Sequence, residues 1–219
     1  LISSLSLVGY VSTPLLRAHR GIPLTGLSGG LVSSTAVTLA FARPSRDPAY
    51  AGAGPALASG ILLAWAVMFV RVVVEVLVVN PGLLGRVLVP FLAMAVTATA
   101  AAWYLRRNAS TGQRTAGVPL TNPFSLRAAA KFAAFFAAVL LLVKVVQAYA
   151  PGGGLYFVAV LAGTTDVDAI TLSMAQFARS GNEQLAAQAI TLATLSNTLV
   201  KIAMASVLGD PHLRRSVLA

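Results

Sequence analysis

Cysteine is absent from all 219 positions, which rules out disulfides and thiolate metal sites and leaves the redox compartment open. Charge is scarce. Asp, Glu, Lys and Arg together make up 10% of the chain, against roughly 25% in a soluble globular domain. A soluble fold of this length would need a polar skin, and that skin is missing, so lipid is expected to supply the outer solvent. Histidine occurs twice, as His19 and His212, in terminal or loop positions without a metal-ligand partner at helical spacing. No G-x-S-x-G elbow, phosphate loop or HExxH is found. An intramembrane aspartyl protease would need opposed carboxylates on different helices. Neither an enzyme nor a prosthetic group is therefore expected.

What the chain does have is apolar sequence. Hydrophobic residues make up 57%. They gather into runs approaching the ~20 residues that cross a bilayer, at 1–16, 23–42, 55–79, 84–105, 124–149, 154–178 and 184–208. Turn-forming residues fill the breaks, among them Arg43-Pro44-Ser45-Arg46, Asn80-Pro81-Gly82 and Pro151-Gly152-Gly153. Only 106–123 reads as a long solvated connection. The expected fold class is an all-α integral membrane protein, a bundle of about seven transmembrane helices in a single domain over 1–219.

The net charge of +10 does not point to nucleic acid. The arginines lie in or beside the breaks, where bilayer topology places positive charge, not on one soluble face. Counted on alternate sides, Arg43, Arg46, Arg106, Arg107, Arg114, Arg127 and Arg179 share one side, favoured as cytoplasmic. Arg17, Arg20, Arg86, Arg214 and Arg215 share the other. The chain opens on Leu1 inside an apolar run and so reads as a fragment or processed piece.

Two segments resemble each other. Gly30-Leu31-Val32-Ser33-Ser34-Thr35-Ala36-Val37-Thr38-Leu39 aligns without gaps on Gly163-Thr164-Thr165-Asp166-Val167-Asp168-Ala169-Ile170-Thr171-Leu172, 133 residues later. Each falls in the second helix of a three-helix group. Two repeats, 1–80 and 124–208, linked by a helix at 84–105 and the loop 106–123, would explain the match. So would chance likeness between membrane segments rich in small residues. If the linking helix fails to cross, the repeats would be inverted.

The six acids and the bases inside the runs carry the functional argument. Glu75, Asp166 and Asp168 fall within predicted spans, as do Arg71, Lys144 and Lys201, and charge in a bilayer is costly and usually functional or paired. One reading is mutual neutralisation: Arg71 and Glu75 pair at i, i+4, while Lys144 and Lys201 reach Asp166 and Asp168. The other is a cation site around Gly163-Thr164-Thr165-Asp166-Val167-Asp168. In a regular helix Asp166 and Asp168 would point about 200° apart, whereas in an extended stretch they would share a side. Gly163 and the threonines are places for the helix to unwind and expose carbonyl oxygens to Mg²⁺ or Na⁺, with Thr165 or Asp166 capping the helix that resumes. Gly29 and Gly30 offer the same break ahead of Ser33 and Thr35. In the last run, Thr191, Thr194, Thr198 and Lys201 form one helical stripe with Asn197 beside it.

Ser28-Gly29-Gly30-Leu31-Val32-Ser33-Ser34-Thr35-Ala36-Val37-Thr38-Leu39-Ala40 followed by Arg43 resembles the signature of a prokaryotic membrane family often fused behind an MgtC/SapB domain. Ala162 to Thr171 resembles its second signature and Asn197 to Lys201 its third. The resemblance spans nearly the whole chain. It implies a cytoplasmic membrane of a bacterium or archaeon, an MgtC/SapB-type partner domain, and a link to magnesium or other metal ions. No MgtC-like portion is present in this sequence.

The expected function is transport of a small metal cation, a divalent ion such as Mg²⁺ first and Na⁺ second, by channel or carrier. Asp166 and Asp168 would be the principal ligands, with Thr164, Thr165, Ser33, Thr35 and Asn197 as secondary oxygen donors. Arg71, Glu75, Lys144 and Lys201 would couple charge. A homodimer sharing the pathway is expected. The competing classes are a non-transporting scaffold held by charge locks and a monovalent cation/proton antiporter.

Overall fold

A computed structural model of the chain describes residues 22–107, 126–149 and 153–218. The first apolar run with Arg17, His19 and Arg20, the connection beyond Arg107 with Arg114, and the side chain of Arg127 lie outside the described residues. Among the described residues the chain is helical and contains no strand. In chain order the helices are α1 (Ile22–Val32), α2 (Ser34–Ala42), α3 (Gly54–Val79), α4 (Leu84–Arg107), α5 (Leu126–Tyr149), α6 (Gly153–Thr165), α7 (Val167–Phe177), α8 (Glu183–Leu208) and α9 (Pro211–Leu218).

Three helical stretches are long and apolar enough to cross a membrane: Gly54–Val79, Pro81–Arg107 and Glu183–Leu208. They match the runs 55–79, 84–105 and 184–208. The remaining described runs do not form single long apolar helices. The run 23–42 is divided at Ser33 and the run 154–178 at Asp166, and within α5 the apolar stretch is only Ala133–Val146. Outward-facing residues remain apolar on these helices, with Val89, Val96, Phe157, Leu141 and Leu199 each more than 60% exposed, a surface suited to lipid rather than water. Trp103 and Tyr104 are exposed near the end of α4, and the Arg107 guanidinium stacks 3.6 Å from the Trp103 ring centroid. That grouping is typical of a membrane interface.

The chain divides into two compact units. The first takes the described residues of 1–70, 93–123 and 201–219. Its core holds Val37, Phe41, Leu57, Ile61 and Leu213, each fully buried. Arg46 donates through Nη2 to the Val207 carbonyl at 2.6 Å and through Nε to that of Gly209 at 3.3 Å. The Asp210 amide donates to Ser45 Oγ at 2.9 Å, and the start of α3 at Gly54 lies against His212 and Leu213.

The second unit takes the described residues of 71–92 and 124–200. Here α5, α6 and α7 pack against one another, with Leu83, Leu155, Ile170, Met174 and Ile190 fully buried. Arg179 donates to the Val79 carbonyl at the end of α3, Asn80 donates to the Ala175 carbonyl at 3.2 Å, and Arg86 pairs with Glu183 at 3.2 Å.

These contacts correct the alternate-side count. Arg46 shares a surface with Arg214 and Arg215, and Arg86 and Arg179 meet the same end of α3 and α8, although counting had put each set on opposite sides. The count assumed that every apolar run crosses once. The contacts of Arg46 and Arg179 do not fit that assumption.

Candidate functional site

Each divided helix is interrupted by a single extended residue. Ser33 (φ −164°, ψ 113°) ends α1, and its hydroxyl accepts the Ala36 amide at 3.2 Å, capping α2. Asp166 (φ −154°, ψ 128°) ends α6, and its carboxylate accepts the Asp168 amide at 2.8 Å, capping α7. Short oxygen-bearing side chains do this because they satisfy amides that the helix start leaves unpaired. The break glycines expected from sequence lie elsewhere. Gly29, Gly30 and Gly163 are helical and buried, and Gly30 and Gly163 serve close packing rather than unwinding. A Cβ on Gly30 would sit 2.7 Å from the Ala64 Cα, and one on Gly163 would sit 2.3 Å from the Ala193 carbonyl oxygen.

In the second unit a buried charge cluster gathers where α7 restarts. Arg71 of α3 pairs through Nη2 with Asp168 Oδ2 of α7, and its Nε lies 3.7 Å from Glu75 Oε1 one turn along α3. Glu75 is 0% exposed and Asp168 4%. Neither Glu75 oxygen, nor Asp168 Oδ1, has a hydrogen-bond partner among the described residues. Asp166 is half-buried and close enough to act electrostatically on both Arg71 and Glu75. The buried core of the cluster is thus two carboxylates against one guanidinium. Unpaired burial of an ion is strongly unfavourable, so the surplus negative charge calls for a proton or a cation. Alongside, Asn197 of α8 donates to the Gly163 carbonyl at 2.7 Å.

The first unit closes its break with the opposite charge. Lys201 is 1% exposed, and its ammonium donates to Ser34 Oγ at 2.6 Å and to Met68 Sδ at 2.8 Å. Ser34 is the first residue of α2, and Met68 precedes Lys201 by the same 133 residues that relate Ser33 to Asp166. Sequence reasoning passed over both partners. That spacing was the signal that could have found Met68.

Several expectations about the site need correction. Asp168 is bound by Arg71, not by a lysine: Lys144 is exposed on α5, and Lys201 meets Ser34 and Met68. Asp166 and Asp168 do not present their carboxylates together as a ligand pair, because the first is turned onto the amide of the second and the second onto Arg71. Thr164 is exposed and donates to the Leu161 carbonyl at 2.7 Å. Thr165 is exposed, and Thr35 is half-buried. In the α8 stripe, Thr191, Thr194 and Thr198 each donate to the carbonyl four residues before them, the usual way for hydroxyls to be satisfied in an apolar helix.

A helical protein of membrane-spanning composition, with buried charge where its helices are interrupted, is the class that these features define. The family described as "Domain of unknown function (DUF4010)" matches residues 1–209, and the chain belongs to that family. It is also 32% identical over 196 residues to a protein of Aquifex aeolicus (strain VF5) described as an "Uncharacterized protein", covering 87% of this chain and 84% of the relative. No solved structure matches.

Proposed function

We propose that the chain is a membrane transport protein for a small cation, with the buried carboxylates Glu75 and Asp168 as its charge-bearing centre. The observation that carries this reading is the charge imbalance: two carboxylates and one guanidinium, all buried among apolar helices. Intramembrane carboxylates of this kind commonly line ion or proton pathways. A divalent metal ion such as Mg²⁺ stays the first candidate cargo, with Na⁺ and H⁺ beside it, and the interrupted helix with Asp166 borders the path.

Repeat architecture supports the reading. Gly30 packs on Ala64, and 133 residues later Gly163 receives Asn197. In the first unit the start of α3 lies beside the residues that follow α8. In the second, the end of α3 and the start of α8 meet Arg179 and Arg86. The matched helices α3 and α8 thus run in opposite directions, as inverted repeats require, and such repeats build many carriers around broken helices. A bacterial cytoplasmic membrane, a bundle of about seven spans, a homodimer and an MgtC/SapB-type partner domain complete the proposal.

One observation favours a second reading. Arg71 bound to Asp168 is a bond between α3 and α7, and a non-transporting scaffold would keep such a bond purely to hold helices together. Flux into proteoliposomes separates the two readings, using Mg²⁺, Mn²⁺, Na⁺ and a pH gradient with wild type, Glu75→Gln and Asp168→Asn. Ion-selective uptake that Glu75→Gln abolishes without lowering the unfolding temperature supports transport. A folded wild type that moves none of these ions sinks that reading and leaves the scaffold.

A further inference from the structure

We infer that the first unit carries a binding site for a phosphate group, in a cavity between α9 and the Pro44–Arg46 turn. The cavity has a volume of about 770 Å³, and its lining includes Arg46, Arg214, Arg215, Ser206 and Asp210. Three guanidiniums against one carboxylate give it a net charge of +2. The carboxylate is already committed: Asp210 Oδ1 accepts the Leu213 amide at 2.9 Å and Oδ2 accepts the His212 amide at 3.2 Å. It therefore caps α9, and its single charge offsets only one of the three arginines.

The three arginines are exposed, and the backbone that carries them is fixed. Arg46 is held by the carbonyls of Val207 and Gly209 through Nη2 and Nε, which leaves Nη1 as a donor in a fixed position. Leu213, fully buried, pins α9, so Arg214 and Arg215 are carried by an anchored helix. Planar guanidiniums suit phosphate oxygens, which they bind with two parallel bonds.

Ser206 supplies a separate indication. It lines the cavity, and its buried hydroxyl has no hydrogen-bond partner among the described residues. The other hydroxyls of α8 are bonded: Thr191, Thr194 and Thr198 donate to the carbonyl one turn back, and Ser196 donates to the Val160 carbonyl of α6. A hydroxyl without a partner, on a residue that lines a basic cavity, is a donor that an anionic oxygen would satisfy once it reached past the cavity wall. Two sources present that chemistry, the headgroup of an anionic phospholipid and free inorganic phosphate. The inference does not depend on the cation reading.

Calorimetric titration of the purified full chain in detergent, with inorganic phosphate in one arm and short-chain phosphatidylglycerol in the other, tests it. Saturable binding of either probe is expected, weakened about tenfold or more in Arg214→Gln/Arg215→Gln and about two- to fivefold in Ser206→Ala, as the loss of charge-assisted and neutral hydrogen bonds predicts. Arg106→Gln/Arg107→Gln, which leaves the cavity intact, should bind as wild type does. Binding of phosphatidylglycerol alone assigns the site to a lipid headgroup, and binding of inorganic phosphate assigns it to the free anion. No binding of either probe overturns the proposal. So does equal affinity in the Arg214→Gln/Arg215→Gln variant, or equal weakening in the Arg106→Gln/Arg107→Gln control.

Discussion

At Ser33 and at Asp166 the backbone makes the same excursion. One extended residue donates its amide to the carbonyl four residues back, Gly29 in one case and Ala162 in the other, and its side chain then caps the helix that follows. The side chains gathered at the two breaks differ in charge. After Ser33 come neutral acceptors, Ser34 with Met68, and they receive Lys201. After Asp166 come Asp168 with Glu75, and they receive Arg71. One backbone device thus serves different surroundings, with a lysine bonded to a hydroxyl and a thioether at one break and an arginine between two carboxylates at the other. The break itself is a matter of capping and local dihedrals. The charge placed beside it is a separate choice, and it is where a function would be written.

Removing the cation should separate the two breaks most sharply. Arg71→Met leaves Asp168 and Glu75 buried without a counter-charge and should lower stability by about 3–5 kcal/mol, whereas Ser34→Ala, which costs Lys201 a neutral acceptor, should lower it by about 1–3 kcal/mol. Thermal unfolding in detergent measures both, and equal losses would mean that the charge difference between the breaks is immaterial. Next in size is Gly163→Ala, for which about 1–3 kcal/mol is expected from overpacking against the Ala193 carbonyl. Gly30→Ala, facing Ala64 at a less severe distance, should lose less in the same assay.

The extent to which these features could be read beforehand follows from what each depends on. Helices α3, α4 and α8 were legible because an apolar run of more than twenty residues has few other fates. The two breaks were legible because the matched segments place a small oxygen-bearing residue at the same position of each. The exact residue was not, because glycine and the paired threonines looked like better points of unwinding than they are. Once the chain packs, the glycines are consumed by contact with Ala64 and Ala193. The pairing of Arg71 with Asp168 joins residues 97 apart, and only packing could choose it over Lys144, which local hydropathy had placed inside the bilayer. The sidedness failed for a related reason, since it rested on one crossing per run and took no account of contacts such as those of Arg46 and Arg179.

Smaller effects sharpen the comparison. Ser33→Ala and Asp166→Ala each remove one cap and should each cost about 1 kcal/mol by the same unfolding measurement. A much larger loss at Asp166 would mean that its electrostatic reach to Arg71 matters more than its cap. Smallest of all, Asp166→Asn retains the cap while removing the charge, and a change within about 0.5 kcal/mol is expected. A cation flux that nevertheless falls in that variant would assign Asp166 a role in conduction that stability does not register.

The self-bonded threonines of α8 have a mechanical consequence. Because Thr191, Thr194 and Thr198 close their hydrogen bonds on their own helix, that stripe can glide along whatever it touches without stranding a polar group. Within the second unit, three bonds tether this helix sideways to α6, from Ser196 to the Val160 carbonyl, from Asn197 to that of Gly163 and from the Tyr156 hydroxyl to Gln188 Oε1. With the Arg86 bonds to Glu183 and Gln184 at its start, they act as pins on a rail whose hydroxyl stripe needs nothing from its neighbours, and the Asn197 pin sits one helical turn from the break at Asp166.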